Sequence, residues 1–245
     1  MLKTTVHFMT CVQPISRAGG HSPVLAPWPT LRALHAGLLA AYGPQGWWPL
    51  LGHAGVNPTK SGSVTGYHPG DYSFPHTPAE AFEIGCGAIL TQNTAWPNVE
   101  KALLALHSAG WLGPAALLAA PPPELALAIR PAGYFNSKAE KLRHWATFWR
   151  ALRPGETPSR ERLLAVWGIG PETADSIRLY AFGQREMVVD AYARRVLSGL
   201  GFCAPDAGYD ALKQLCINAL PARLEVYLEF HALLVEHAKR LRAIS

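Results

Sequence analysis

Three observations predict an almost entirely helical protein. Apolar residues recur at helical spacing in most segments after residue 30. Thr30 and Thr77 stand where helix N-caps are expected, and Thr77 forms with Glu80 the pattern of a capping box. Clusters of Gly and Pro separate the helical segments, whereas the strand-like run at Val188–Val189 is short. The predicted fold class is therefore all-α.

The predicted helices follow one another along the chain with short connections. The helix that starts at Thr77 extends to Ala88 or beyond, and Asn136 is the expected cap of a later helix. The other predicted helices are Leu31–Tyr42, Val99–Ala109, Pro114–Ala119, Pro123–Ile129, Ser137–Leu152, Arg160–Val166, Glu172–Phe182, Tyr192–Leu200, Ala207–Ala219 and Ala222–Ala243. Residues 1–29 have the composition of an irregular arm. Residues 51–77 have that of a long loop, whose length indicates a functional or a clade-specific insertion.

The composition favours a globular protein with an anionic partner. Hydrophobic residues make up 49% of the 245 residues, so the chain can bury a sizeable core. The net charge of +5 favours binding to an anion such as nucleic acid. The four cysteines show no close pairing pattern, no apolar run reaches the length of a membrane span, and no secretory signal is evident. We therefore expect a cytoplasmic protein with reduced thiols.

One segment combines an anion-binding turn with a carboxylate. Gly168-Ile169-Gly170-Pro171 separates two helical patterns, and Pro171 suits the first turn of the second helix. Free backbone N–H groups at such a hairpin and helix start can hold a phosphate. Asp190 follows after twenty residues, directly behind Val188–Val189. This arrangement indicates a protein that holds DNA and acts on it chemically.

Four sequence blocks carry a family resemblance. They are the hairpin with the following Val188-Val189-Asp190, the block Gly87–Trp96, the block Arg130–Lys138 and the tripeptide Trp47-Trp48-Pro49. Together they resemble the helix-hairpin-helix–Gly/Pro–Asp (endonuclease III) superfamily of DNA glycosylases. The resemblance extends from about Leu31 to Arg240, with an unmatched insert near Gly55–Pro78.

The resemblance implies two helical domains that flank a DNA-binding cleft. One is a six-helix domain at residues 77–183, which ends in the hairpin. The other joins residues 30–76 with residues 184–245, and Asp190 lies at the mouth of the cleft between them. The implied partner is double-stranded DNA that contains a damaged base, the protein acts as a monomer, and it works in the cytoplasm at the nucleoid.

Two carboxylates define the expected chemistry. In the resembled family the residue matching Asp190 is catalytic, and a carboxylate can stabilise the oxocarbenium-like sugar formed when an N-glycosidic bond breaks. Asp190 would also suit the N-cap of the next helix, and both roles are compatible. Glu172 stands where bifunctional relatives carry a nucleophilic lysine, so the resemblance implies a monofunctional enzyme. Glu172 can equally serve as an acid in the first turn of its helix.

Three tryptophans are candidates for the wall of a base pocket. Indole rings stack on bases and attract cations, and a methylated purine is cationic. Trp47, Trp48 and Trp96, with Pro49, are therefore expected to shape the pocket, although tryptophans also serve simply as core residues. Leu233 aligns with a pocket lysine of the 3-methyladenine glycosylases, which leaves a different base preference open.

The resemblance also assigns contacts to DNA. Asn93, with Gln92 beside it, matches the position that fills the gap left by a flipped base, although a loop amide can instead cap the next helix. The expected phosphate contacts are Gly168, Gly170, Thr173, Lys138 and Arg194, and Lys141, Arg130 and Arg143 are further basic candidates.

No cofactor is expected to be required. An iron–sulfur cluster needs four thiolates, and only Cys203 and Cys216 follow the hairpin, so we expect no cluster. The resemblance implies a Na⁺ or K⁺ ion beneath the hairpin, on the backbone carbonyls of Leu164, Val166 and Ile169.

The predicted function is a monofunctional DNA glycosylase of base excision repair that excises alkylated purines, chiefly 3-methyladenine. One alternative keeps the reaction and changes the lesion to uracil or thymine in mismatches or to an oxidised purine. Another alternative is a sensor of distorted DNA without catalysis.

Overall fold

The computed structural model describes residues 28–59 and 65–244, and within these ranges the protein is all-helical, as predicted. The described residues form eleven α-helices, one 3-10 helix and one π-helical segment, and no strand. The α-helices are α1 Leu31–Tyr42, α2 Pro78–Leu90, α3 Trp96–Ser108, α4 Pro114–Ala119, α5 Pro122–Ala128, α6 Phe135–Arg150, α7 Arg160–Leu164, α8 Pro171–Ser176, α9 Ala191–Gly199, α10 Tyr209–Ala219 and α11 Leu224–Ile244. The 3-10 helix is Arg130–Ala132, and the π-helical segment Ile177–Ala181 continues α8.

The capping predictions are confirmed at two helices and wrong at one. The Thr30 side chain accepts a hydrogen bond from the Ala33 amide at 3.1 Å, and Thr77 forms the complete capping box with Glu80. Helix α6 starts one residue before Asn136, after Tyr134 in the left-handed conformation (φ +45°). Asn136 therefore lies inside the first turn, where its side chain has no cap to form.

Helix α2 is the centre of the core. Its residues from Ala81 to Leu90 are all buried. It packs against α3, α6 and the π-helical segment. Two of its glycines allow close approach, because Gly85 faces the Trp145 indole of α6 and Gly87 faces the Trp48 indole. The same helix therefore positions both the core and the tryptophan segment that precedes the long loop.

The long loop folds back onto the Trp47–Trp48 segment. The Gly66 carbonyl accepts from the Leu50 amide at 3.0 Å, and the Gly46 carbonyl accepts from the His68 amide at 3.2 Å. The His68 ring also lies within hydrogen-bond distance of the Trp48 carbonyl, at 3.0 Å. The described parts of the loop, 51–59 and 65–77, contain no helix or strand, as its composition predicts.

Helix α11 closes the fold by packing against α9 and α1. The expected strand-like run before α9 is buried extended backbone without a sheet partner among the described residues. No helix in the described ranges has the length and apolarity that crossing a membrane requires. The predicted arm at 1–29 lies outside the described residues except for its last two, and the division into two domains stays a prediction.

Candidate active site

A cavity of about 270 Å³ lies between α3, α8, α9 and α11. Its lining comes from four stretches of chain: Gln45 to Thr59 with Tyr67, Thr91 to Pro97, Glu172 to Tyr192, and His231 to Lys239. The lining combines aromatic rings with carboxylates. This combination of an apolar slot and a few convergent polar groups is typical of a small-molecule or base pocket.

The three predicted tryptophans form one cluster in the wall of the cavity. The ring centroids of Trp47 and Trp96 are 4.7 Å apart, and each lies 5.3 Å from that of Trp48. Tyr67 from the long loop lies 6.0 Å from Trp47. All three indole N–H groups are buried without a hydrogen-bond partner. The cluster is thus both a part of the core and a wall of the cavity, so the two sequence interpretations are compatible.

The structure corrects two of the predicted pocket residues. Pro49 is buried next to Trp48 but does not line the cavity. Leu233 is fully buried in the core and does not reach the cavity either. The α11 residues that line the cavity are His231, Ala232, Val235, Glu236 and Lys239. They share one face of the helix, and Leu233 points away from that face.

Lys239 is a cavity residue that the sequence analysis missed. Burial lowers the pKa of Lys239, an effect that the charges of Glu236 and Asp190 partly oppose. The spacing from His231 is the sequence signal that could have identified it. Asn57 and Thr59 of the long loop also line the cavity and were missed. Their loop has no periodicity, so only its unusual length pointed to a function.

Asp190 faces the cavity and caps a helix, as both sequence interpretations proposed. Its Oδ1 accepts a hydrogen bond from the Ala193 amide at 2.7 Å, which makes it the N-cap of α9. Its Oδ2 lies 3.7 Å from His231 Nε2. The carboxylate is 19% exposed, so it is open to a ligand in the cavity. The cap fixes the direction of the group, which a reactive carboxylate needs.

Glu172 lies in the first turn of α8 and lines the same cavity. Although its surface is exposed, the surrounding protein displaces part of its hydration, which with the negative charge of Asp190 raises the pKa of Glu172. His231 and Arg194 oppose this shift. The two carboxylates therefore sit in unequal environments.

The hairpin has the conformation that its glycines predict. Gly168 has φ +87°, a conformation that favours glycine. A Cβ there would lie 2.3 Å from Lys141 Cγ, so any other residue would also collide with the lysine side chain. Pro171 opens α8 and Gly170 is its N-cap residue. Within the described chain, no hydrogen bond engages the amides of Gly168 and Gly170. Thr173 is buried, and its hydroxyl accepts from Gln92.

Gln92 braces the hairpin in this structure. Its Nε2 donates to the Gly168 carbonyl and to Thr173 Oγ1, both at 3.0 Å, and its Oε1 accepts from Lys141 Nζ at 2.6 Å. Asn93 next to it is exposed with φ +56°. The expected gap-filling role of Gln92 and Asn93 stays a prediction.

Lys138 does not lie at a DNA surface, which corrects its expected phosphate contact. It is 1% exposed, and its Nζ donates to the carbonyls of Leu90 and Ala132, both at 2.8 Å. Burial lowers the pKa of Lys138 to about 8, helped by the charge of Lys141. A buried amine here satisfies two carbonyls at element ends, which an apolar side chain would leave unpaired. The sequence block is therefore structural at this position.

Two arginines named with Lys138 also make internal bonds. The Arg194 guanidinium donates to the Ala207 carbonyl, and Arg143 Nη1 donates to the Leu118 carbonyl at 2.9 Å. These bonds fix the arginines to neighbouring loops, and the expected phosphate contact of Arg194 stays a prediction.

The metal predictions concern backbone carbonyls and thiols. The described residues contain no group of three or more His, Cys, Asp or Glu side chains arranged to hold a metal ion. At the expected cation site, the Val166 carbonyl accepts from the Ile169 amide at 3.1 Å and retains a second lone pair. The site on Leu164, Val166 and Ile169 stays a prediction, as does the absence of an iron–sulfur cluster.

Known proteins share this sequence pattern and this fold. A Methanocaldococcus jannaschii protein described as a candidate DNA repair glycosylase is 42% identical over 175 residues, 66% of this chain and 79% of that protein. The crystal structure of the H. pylori 3-methyladenine DNA glycosylase bound to 1,N6-ethenoadenine matches with a TM-score of 0.62 and 27% identity, over 86% of this chain and 96% of that one. A trapped endonuclease III–DNA covalent intermediate matches with a TM-score of 0.57 and 26% identity, over 63% of this chain and 72% of that one. Residues 86–222 match the model of the HhH-GPD family. The chain therefore belongs to the HhH-GPD superfamily of base excision DNA repair proteins.

Proposed function

We propose that this protein is a monofunctional DNA glycosylase that excises alkylated purines, chiefly 3-methyladenine. The observation that carries the proposal is one cavity that is lined both by a tryptophan cluster and by Asp190. Glu172, which cannot form a Schiff base, stands where a lysine would make the enzyme bifunctional. The likeness to a structure of a 3-methyladenine glycosylase supports the choice of base.

The geometry supports a simple route for the reaction. A base inside a duplex is out of reach, so the damaged nucleotide has to be flipped into the cavity. A methylated purine carries a positive charge, which the faces of Trp47 and Trp96 attract. As the bond from the sugar to the base breaks, the Asp190 carboxylate stabilises the cationic sugar and accepts a proton from the attacking water. The base leaves with the bonding electron pair.

The DNA-holding surface lies beside this cavity. The free amides of Gly168 and Gly170 are suited to a phosphate, and the exposed Asn93 to the space that the flipped base leaves. Lys141, fixed by Gln92, adds a positive charge next to the hairpin. Such contacts depend on the DNA backbone and not on its sequence.

The test is base release from methylated duplex DNA, with the freed bases identified by chromatography. Parallel duplexes carry uracil, a thymine mismatch or an oxidised purine. We expect release of 3-methyladenine without strand cleavage by the wild type. Asp190→Asn should abolish release and leave DNA binding nearly intact, because asparagine retains the helix cap. Release of a different base would show that the enzyme prefers another lesion. DNA binding without base release from any duplex would favour a sensor of distorted DNA.

A second candidate reaction rests on Lys239. Its amine lines the cavity together with Asp190, and burial lowers its pKa, which increases the share of the nucleophilic neutral form. Attack of this amine on the sugar would give a bifunctional enzyme that also cleaves the strand. Borohydride trapping on lesion DNA separates the two candidates. We expect no covalent adduct, whereas an adduct that Lys239→Met abolishes would establish the bifunctional reaction.

A further inference from the structure

A buried tyrosine–histidine pair lies directly behind the candidate catalytic carboxylate. Tyr180 Oη and His231 Nδ1 are 2.6 Å apart, and both side chains are buried. Tyr180 belongs to the π-helical segment and His231 to α11, so the pair joins these two elements next to the cavity. The Tyr180 ring also packs against Trp48, at 5.4 Å between centroids.

The second nitrogen of the histidine is turned towards Asp190. His231 Nε2 is buried without a hydrogen-bond partner and lies 3.7 Å from Asp190 Oδ2. The other oxygen, Oδ1, is already held by the Ala193 amide at 2.7 Å. One oxygen of the carboxylate thus belongs to the cap of α9, and the other faces the histidine. A buried polar atom without a partner requires an explanation.

The hydrogen-bond geometry favours one tautomer of His231. Burial, together with the charges of Glu229 and Asp190, raises the pKa of Tyr180 well above its ordinary value, so its hydroxyl stays protonated and is available as a donor. The hydroxyl lies 2.6 Å from His231 Nδ1 and 3.4 Å from the Leu228 carbonyl, and the shorter separation favours donation to the imidazole. In a neutral imidazole that accepts at Nδ1, the proton is on Nε2, the atom that faces Asp190 Oδ2.

We propose that His231, oriented by Tyr180, is a positioning residue that directs an N–H donor at Asp190 Oδ2 and so keeps the carboxylate aimed into the cavity. The inference rests on the proposed function, because it assigns His231 a role in that same reaction. A shift of about 1 Å when a nucleotide fills the cavity would bring the 3.7 Å separation to hydrogen-bond length. The other charged groups of the cavity, Glu172, Glu236 and Lys239, come from α8 and α11.

The chain contains a matched control pair. Tyr42 Oη and His237 Nδ1 are 2.8 Å apart, and His237 lies on the same helix as His231. Neither residue of this second pair lines the cavity. Both are tyrosine–histidine pairs, and of the two only Tyr180–His231 faces Asp190.

The kinetic experiment measures kcat and KM for base release from methylated DNA. His231→Leu and Tyr180→Phe should lower kcat about 10- to 100-fold with KM nearly unchanged, the size expected for a lost bond to a charged group. His231→Gln, which keeps a donor near the position of Nε2, should restore most of the rate. Tyr42→Phe should leave both kcat and KM unchanged.

A second measurement does not depend on turnover. Long-range ¹H–¹⁵N spectra of histidine-labelled protein should show His231 protonated at Nε2 in the wild type and a mixture of tautomers in Tyr180→Phe. A wild-type Nδ1–H tautomer would overturn the inference, as would full activity of a folded His231→Leu. If His231→Leu does not fold, Tyr180→Phe decides, because an unchanged kcat of this variant would also overturn the inference. A wild type that releases no base from any duplex would instead refute the proposed function.

Discussion

The close approach of Gly85 to Trp145 allows a sharp test of the packing. A Cβ at Gly85 would lie 2.2 Å from Trp145 Cζ2 and 2.4 Å from Cε2, whereas ordinary contacts measure 3.4–4 Å. The indole would have to retreat by about 1 Å, the difference between 3.4 and 2.2 Å. It has no room to do so, because the ring is fully buried, stacked on Phe82 and in edge contact with Trp149.

The control is a glycine without such a neighbour. Gly199 also lies in a helix, at the end of α9, and a Cβ there meets no described atom within 4 Å. Both substitutions to alanine gain helix propensity, about 0.5–1 kcal/mol. Only Gly85→Ala adds the cost of overpacking, about 1–3 kcal/mol. The difference between the two variants therefore isolates the collision.

The assay is thermal unfolding of the two variants, followed by circular dichroism. For a chain of this size, about 1 kcal/mol corresponds to about 2–4 °C in Tm. Gly85→Ala should therefore melt about 2–12 °C below Gly199→Ala. If Gly85→Ala melted at or above the temperature of Gly199→Ala, the packing of α2 against α6 described above would be wrong.

Three further predictions concern the buried amine and the DNA-facing loop. The free energy of unfolding, measured in urea, should rise between about pH 8 and 10.5, because the folded-state pKa of Lys138 is about 8 and its ordinary value is 10.5, so the native state loses this proton first. Lys138→Met should remove this rise and cost about 2 kcal/mol or more through two unpaired carbonyls, whereas an unchanged rise would contradict the assignment. Gln92→Ala should lower Tm, whereas Asn93→Ala should leave Tm unchanged. Asn93→Ala should slow excision from duplex DNA more than excision from single-stranded DNA. Equal slowing on both substrates would exclude a gap-filling role of Asn93. Lys141→Met should reduce the salt dependence of DNA binding by about one unit of slope in a titration, and an unaltered slope would exclude a phosphate contact.

Local signals explain which parts of the fold could be predicted. Helix α4 begins and ends where the sequence predicts, because Pro114 and the following apolar pattern act within the segment itself. The Thr30 cap and the Thr77 capping box are local in the same sense. Where a boundary is wrong, as at Asn136, a left-handed residue further upstream starts the helix. No propensity of Tyr134 indicates that conformation.

The site required information that the sequence does not carry locally. In the sequence, Lys138 has the features of a surface cation. Only the three-dimensional structure shows that it is buried and that its amine donates to the carbonyls of Leu90 and Ala132. Gln92 appears free until the hairpin, 76 residues away, is placed against it. Asp190 could be identified because its motif is contiguous. His231 could not be, because its partner Tyr180 is 51 residues distant.

The cavity is assembled from four stretches of chain that lie far apart in sequence, one of them within the long loop. A partly folded chain that lacked any one of these stretches would lack the enclosed cavity, whereas its hairpin could still form. In the proposed function, base excision therefore depends on the whole described fold, while phosphate binding depends only on the hairpin.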